Sequence, residues 1–130
     1  MARRKRRQVH ERPHVALIVE TSLASGRGIL QGVARYVREH GPWSIYHEPR
    51  NREDPAPQWL RRWRGDGIIA RLHDRRIATI VADTGLPAVD VLGQVSGLQM
   101  PLVMTDNAAI ARLAAEHLFQ RGFEHFGHCG

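Results

Sequence analysis

The chain has one cysteine, Cys129, in 130 residues, which excludes an intrachain disulfide and fits a reducing compartment. No apolar run approaches the roughly 18 residues of a membrane-spanning helix. The opening, MARRKRRQVHERPH, also lacks the apolar segment of a secretory leader. A soluble protein of the cytoplasm is the expectation, with no membrane partner. Beyond its first residues the chain lacks a charge imbalance as well. The formal net charge is +6, but five of the 19 Lys and Arg residues lie in the first seven positions, leaving 14 against 13 acidic ones. The surplus therefore belongs to the opening and identifies no basic binding face. Residues 1–13 read as a disordered, solvated basic tail, with a nucleic-acid or targeting role as the alternative.

What remains is ordinary globular material. At 42% apolar and 25% charged residues, the body is long enough to bury one real core. Apolar runs of strand length alternate with helix-like segments. The strand-like runs are HVALIVE (14–20), WSIYHE (43–48), DGIIARL (66–72), PAVDVLG (87–93) and PLVMTD (101–106), and HFGHCG begins a sixth. Between them, 28–41 reads as an amphipathic helix with Ile29, Val33, Tyr36 and Val37 on one face, stopped by Gly41-Pro42. QWLRRWRG reads as a short helix turning Trp59, Leu60 and Trp63 inward, and 74–85 as another helix ending at Gly85. The last helix, 107–122, is capped by Asp106 or Asn107. Its inward stripe is Ile110, Leu113, Ala114, His117 and Leu118, and it stops at Gly122. Helical crossovers between successive strands call for a largely parallel sheet, so the expected fold is α/β and doubly wound, with the first strand interior. The sequence ends as the sixth strand should turn into its own helix, so residues 14–130 read as part of a larger unit.

The stretch SGRGILQG, Ser25 to Gly32, follows the first strand and imitates a phosphate cradle. Gly26-x-Gly28, with Glu48 twenty residues past Gly28, resembles a dinucleotide-binding pattern. TSLAS (21–25) separates the strand from the glycines, however, and Gln31 stands where the third glycine belongs. One alternative is structural, with Gly28 freeing the start of the helix and Gly32 letting it lie close on the sheet. Another is a ligand loop without phosphate. There, Thr21, Ser22 and Ser25 supply hydroxyls and Arg27 a guanidinium, a donor and acceptor set suited to a neutral polyol.

Other groupings carry less. His125, His128 and Cys129 would fall on opposite faces of a strand, which opposes a metal site. His117 on an apolar stripe reads as a core histidine. Trp59 and Trp63, at i, i+4 with arginines around them, read as packing rather than a nucleic-acid face. No spacing suggests a nucleophile with its base or a pair of catalytic carboxylates, so no enzymatic activity, cofactor or metal is expected.

Several segments together resemble the LacI/GalR-type sugar-responsive regulators, whose effector domain is similar to type I periplasmic binding proteins. They are HVALIVETSLASGRGILQGVARYV, GDGIIARLHD, LPAVDVLG and VMTDNAAIARLAAEHLFQRGFEHFGHCG. The last carries the family's spacing at Asp106, Asn107, His117, Leu118 and Gly122. The resemblance runs from about residue 13 to 130. Such regulators normally begin with a helix-turn-helix headpiece, whereas here the first strand starts at His14. That order, with GRGILQGVARY and GDGIIA, is similar to the xylose operon regulators, whose sensor comes first and whose AraC-type DNA-binding helices come last. The resemblance implies that residues 14–130 are the N-terminal lobe of a sugar-sensing domain. It implies a homodimer that contacts DNA through a domain absent from this chain, with the helix at 75–83 near the partner because Ile77, Ile80 and Val81 exceed one buried stripe. It implies strand order 2-1-3-4-5 and a sugar in the crevice between strands 1 and 3, held by Ser22, Ser25, Arg27, Arg71 and Asp74. Arg27 is the first candidate; exposed loop arginines remain the alternative for Arg27 and Arg71. Asp106 is a further ligand candidate, with helix capping favoured. A sugar-binding module without a DNA role and a nucleotide-dependent α/β enzyme remain the competing functions.

Overall fold

The computed structural model describes residues 11–129; the proposed tail lies largely outside the described residues. The elements in chain order are β1 (His14–Ile18), α1 (Ala24–His40), β2 (Ser44–His47), a 3-10 helix (Gln58–Arg62), β3 (Gly67–Ala70), α2 (Arg75–Asp83), β4 (Ala88–Asp90) and α3 (Asn107–Gln120). The four strands form one sheet of order β2-β1-β3-β4. Every pairing is parallel, with Val15 opposite Ile45 and Gly67, and Ile69 opposite Val89.

The doubly wound character is visible in β1. Val15, Ala16, Leu17, Ile18 and Val19 are all buried, because alternate side chains enter cores on opposite faces. On one face Ala16 and Ile18 pack with Leu60, Ile68, Ala70, Leu72, Ile77, Ala78 and Val81. On the other Val15, Leu17 and Val19 meet Ile29, Leu30 and Val33 of α1, with Trp43 and Ile69. Helical structure therefore covers both faces of an interior first strand, as expected. Leu60 is buried, and Trp59 and Trp63 pack against the same core.

Several expectations are corrected. Helix α1 begins at Ala24 rather than residue 28, so Gly28 and Gly32 lie within the helix. A Cβ added at either would meet no atom within 4 Å, so neither allows a close approach. Gly26 does: its Cβ would lie 2.0 Å from the Glu20 carbonyl oxygen, a contact only a missing side chain permits. Tyr36, expected inward, is 48% exposed; its ring stacks on His40, with centroids 4.2 Å apart. In α2, Ile77 and Val81 are buried and half-buried Ile80 packs on the same core.

The fifth strand is reduced to one parallel bridge, Asp90 to Leu102. The Asp90 N–H donates to Pro101 O and Val103 N–H to Asp90 O, each at 2.9 Å. No sixth strand forms among the described residues. Phe126 instead packs edge-to-face on Phe119 of α3 at 5.2 Å, a local contact that competes with extension along a sheet. The α3 stripe is not buried: Leu113 is 66% exposed, and Ile110, Ala114 and His117 are also exposed. Ile29, Val33, Tyr36, Trp43, Ile69 and Val103 help line an open apolar groove of about 580 Å³ to which no α3 residue contributes.

Candidate functional site

The chain leaves β1 over one face to reach β2, then returns over the other to place β3 on the opposite side of β1. The strand order thus reverses between β1 and β3, and the crevice beyond their carboxyl ends is where open α/β sheets bind ligands. All the buried polar or charged residues among those described lie at such strand ends: Glu20 (5% exposed) after β1, Arg71 (8%) after β3 and Asp90 (2%) closing β4.

Glu20 and Arg71 meet across the reversal. Backbone pairing continues past β3, with Arg71 N–H donating to Ile18 O at 2.9 Å. That register brings the two side chains together, and Arg71 Nη1 donates to Glu20 Oε1 in a buried ion pair. Arg71 Nε is buried without a hydrogen-bond partner. Neither removal from water is favourable alone; each charge is tolerable there because the other is beside it.

Asp90 acts differently. Its Oδ1 accepts from Leu72 N–H at 3.3 Å and Leu92 N–H at 3.0 Å, and its Oδ2 accepts from Gly93 N–H at 3.1 Å. Three backbone donors share the charge and fasten the end of β3 to the turn after β4. The loop after β1 is fastened too. Thr21 N–H donates to Arg50 O at 3.0 Å, and Arg27 Nη1 donates to Thr21 O at 2.8 Å and Ser22 O at 3.0 Å. His47 Nε2 lies 3.0 Å from Val19 O.

Among the expected site residues, Ser22, Ser25 and Arg27 are exposed around the β1–α1 loop, and Arg71 faces Glu20 at the strand ends. Asp74 caps α2: its Oδ1 accepts from Ile77 N–H at 2.9 Å, and its Oδ2 lies 3.5 Å from His73 Nε2. Asp106 caps α3, accepting from Ala109 N–H at 2.9 Å, and makes no described contact with Glu20, Arg71 or Asp90. The alternative of Arg71 as an exposed loop arginine fails on its burial.

Glu20 and Asp90 are not among the sequence candidates, and Gly26 enters there only through the dinucleotide-like pattern. A signal existed for the first: HVALIVE and GDGIIAR each end an apolar strand in a single charge, of opposite signs, on strands that become neighbours.

The dinucleotide alternative loses its acid. Glu48 accepts from Tyr46 Oη at 2.6 Å and from Trp59 Nε1 at 2.9 Å. The hydrogen bond to Glu48 raises the Tyr46 phenol above its ordinary value of 10.0, with desolvation and the carboxylate charge adding to it. No cluster of three or more His, Cys, Asp or Glu suited to a metal ion occurs among the described residues. No described helix is long and apolar enough to cross a membrane.

The parallel sheet and its order define part of an α/β domain with a periplasmic-binding-protein-like fold. The chain belongs to the XylR N-terminal domain family, whose model matches residues 14–108. It is 31% identical over 127 residues to the xylose operon regulatory protein of Escherichia coli K12, covering 92% of this chain. The corresponding protein of Haemophilus influenzae is 25% identical over 123 residues, or 89% of this chain. In both cases the chain spans 31% of the relative's length. The solved structure of the xylose-binding transcription activator xylR is similar with a TM-score of 0.67 and 28% identity, over 86% of this chain and 28% of that one.

Proposed function

We propose that this chain is the N-terminal lobe of the effector-sensing domain of a sugar-responsive transcription regulator, with a pentose such as xylose as effector. The observation that carries the reading is the Glu20–Arg71 pair, held where the strand order reverses in a domain of this family. Names of the relatives, a xylose operon regulator and a xylose-binding activator, supply the sugar. The sugar lies against the loop after β1 and the loop after β3. Ser22, Ser25, Arg27, Arg71 and Asp74 offer it donors and acceptors, and a second lobe elsewhere in the protein closes over it. Asp106, whose carboxylate caps α3, is a further candidate. The protein works in the cytoplasm as a homodimer, binds DNA through another domain, and performs no catalytic step.

Calorimetry of the full-length protein with D-xylose tests this. Saturable binding at one site per protomer is expected, and no heat at millimolar sugar rejects the reading. Binding of xylose with no effect on association with the xylose operator would instead favour a sugar-binding module without a DNA role.

A further inference from the structure

From the charge arrangement at the strand ends, we propose that Glu20 is a specificity-determining residue that makes the crevice select a neutral sugar over the corresponding sugar acid. The inference rests on the functional reading above.

The buried strand ends hold one cation, Arg71, against two carboxylates, Glu20 and Asp90. Asp90 is directed into backbone N–H groups, which disperse its charge without supplying a positive one. Glu20 is directed at Arg71 itself. The guanidinium therefore brings hydrogen-bond donors to the crevice but no uncompensated positive charge. Among the described residues only its Nη1 donates, to Glu20, so Nη2 retains donor capacity after Glu20 is served. A hydroxyl oxygen accepts from such a donor at no electrostatic penalty. A ligand carboxylate there would be a further anion beside Glu20 in a site shielded from water, where repulsion is strong. Without Glu20 the same arginine would be an uncompensated buried cation, the arrangement that recognises carboxylate and phosphate.

Glu20 does not need to touch the sugar to act. It fixes Arg71 in place and cancels its charge.

The test compares D-xylose with D-xylonate, binding each to the full-length protein by calorimetry at neutral pH, where xylonate is an anion. Wild type is expected to prefer xylose. Glu20→Gln keeps an oxygen acceptor for Arg71 but removes the charge. It is expected to shift the xylose-to-xylonate affinity ratio at least tenfold toward xylonate, about 1.4 kcal/mol. The double variant Glu20→Gln/Arg71→Gln, again without a net charge at the pair, is expected to lose that gain. A mere loss of structure would weaken both ligands together and leave the ratio unmoved. A ratio unchanged within twofold in Glu20→Gln overturns the proposal. If that variant does not fold, the wild type still decides: xylonate binding as tightly as xylose overturns it, and a strong preference for xylose supports it. Wild type that binds neither overturns the functional reading, and this proposal with it.

Discussion

Replacing Gly26 with alanine tests the joint between β1 and α1. The new Cβ would lie 2.0 Å from the Glu20 carbonyl oxygen, 3.1 Å from its carbon and 3.5 Å from Val19 Cγ1, whereas real Cβ atoms essentially never approach within 3.0 Å. The joint must therefore open by roughly 1 Å. Neither side gives easily. Helix α1 is held by Ile29, Leu30 and Val33 against the sheet, and the loop by Thr21 on Arg50 and Arg27 on Thr21 and Ser22. Overpacking of this kind costs about 1–3 kcal/mol. The obstacle is backbone rather than a flexible side chain, which places the cost at the upper end. Alanine recovers about 0.8–1 kcal/mol of helix propensity, so the net loss is about 2 kcal/mol. Gly28→Ala and Gly32→Ala gain that propensity with no atom within 4 Å to obstruct them, and each should stabilise by about 0.5–1 kcal/mol. Urea denaturation followed by circular dichroism reads all three. A Gly26→Ala protein as stable as the other two would refute the close-approach argument. Because the displaced carbonyl belongs to Glu20, Gly26→Ala should also weaken sugar binding, while Gly28→Ala should leave it intact.

Asp90→Ala leaves the N–H groups of Leu72, Leu92 and Gly93 without their acceptor, and a loss of about 1–3 kcal/mol is expected by urea denaturation; an unchanged midpoint would show the clamp to be dispensable. Arg27→Ala releases the carbonyls of Thr21 and Ser22 and removes a donor from the crevice. It should weaken D-xylose binding about tenfold, ~1.4 kcal/mol, with the far-ultraviolet dichroism retained, and equal affinity in calorimetry would remove Arg27 from the site. For the isolated 130-residue chain, Leu113→Glu should change stability by no more than about 0.5 kcal/mol because Leu113 is exposed. Leu60→Ala, in the core, should cost about 2–5 kcal/mol. A large loss from Leu113→Glu in the same denaturation series would mean that α3 is packed.

The parallel sheet was legible because its signals are local. Five apolar residues from Val15 to Val19 leave no polar face, as a strand covered on both sides requires, and the helical segments between strands are long enough for the crossovers that parallel neighbours need. The cap at Asp106 was legible for the same reason, since a short acidic side chain before an apolar helix has a local use. Glycine was misread where its role is not local. Gly26 and Gly28 imitate a familiar phosphate-loop pattern, while Gly26 in fact matters because of a carbonyl six positions earlier that returns beside it only after folding. The periodicity of α3 correctly gave a helix with an apolar face, yet periodicity says nothing of whether a surface exists to cover that face.

Among the candidates for the crevice, Arg71 was legible from its place after β3 and the family likeness. Its partner was not, because a lone glutamate ending an apolar run has no meaning until the register sets it beside a lone arginine on the next strand. Asp90 escaped for a similar reason. Its donors come from one strand end and one turn, and only the fold brings both within reach.

The most direct measurement of the central claim is a crystal structure of the full-length protein grown with D-xylose. The account predicts sugar density beyond the carboxyl ends of β1 and β3, with a hydroxyl within hydrogen-bond distance of Arg71 and the Glu20–Arg71 pair unbroken beneath it. Sugar bound elsewhere on the protein, or a crevice that stays free of sugar while calorimetry shows saturation, would contradict it.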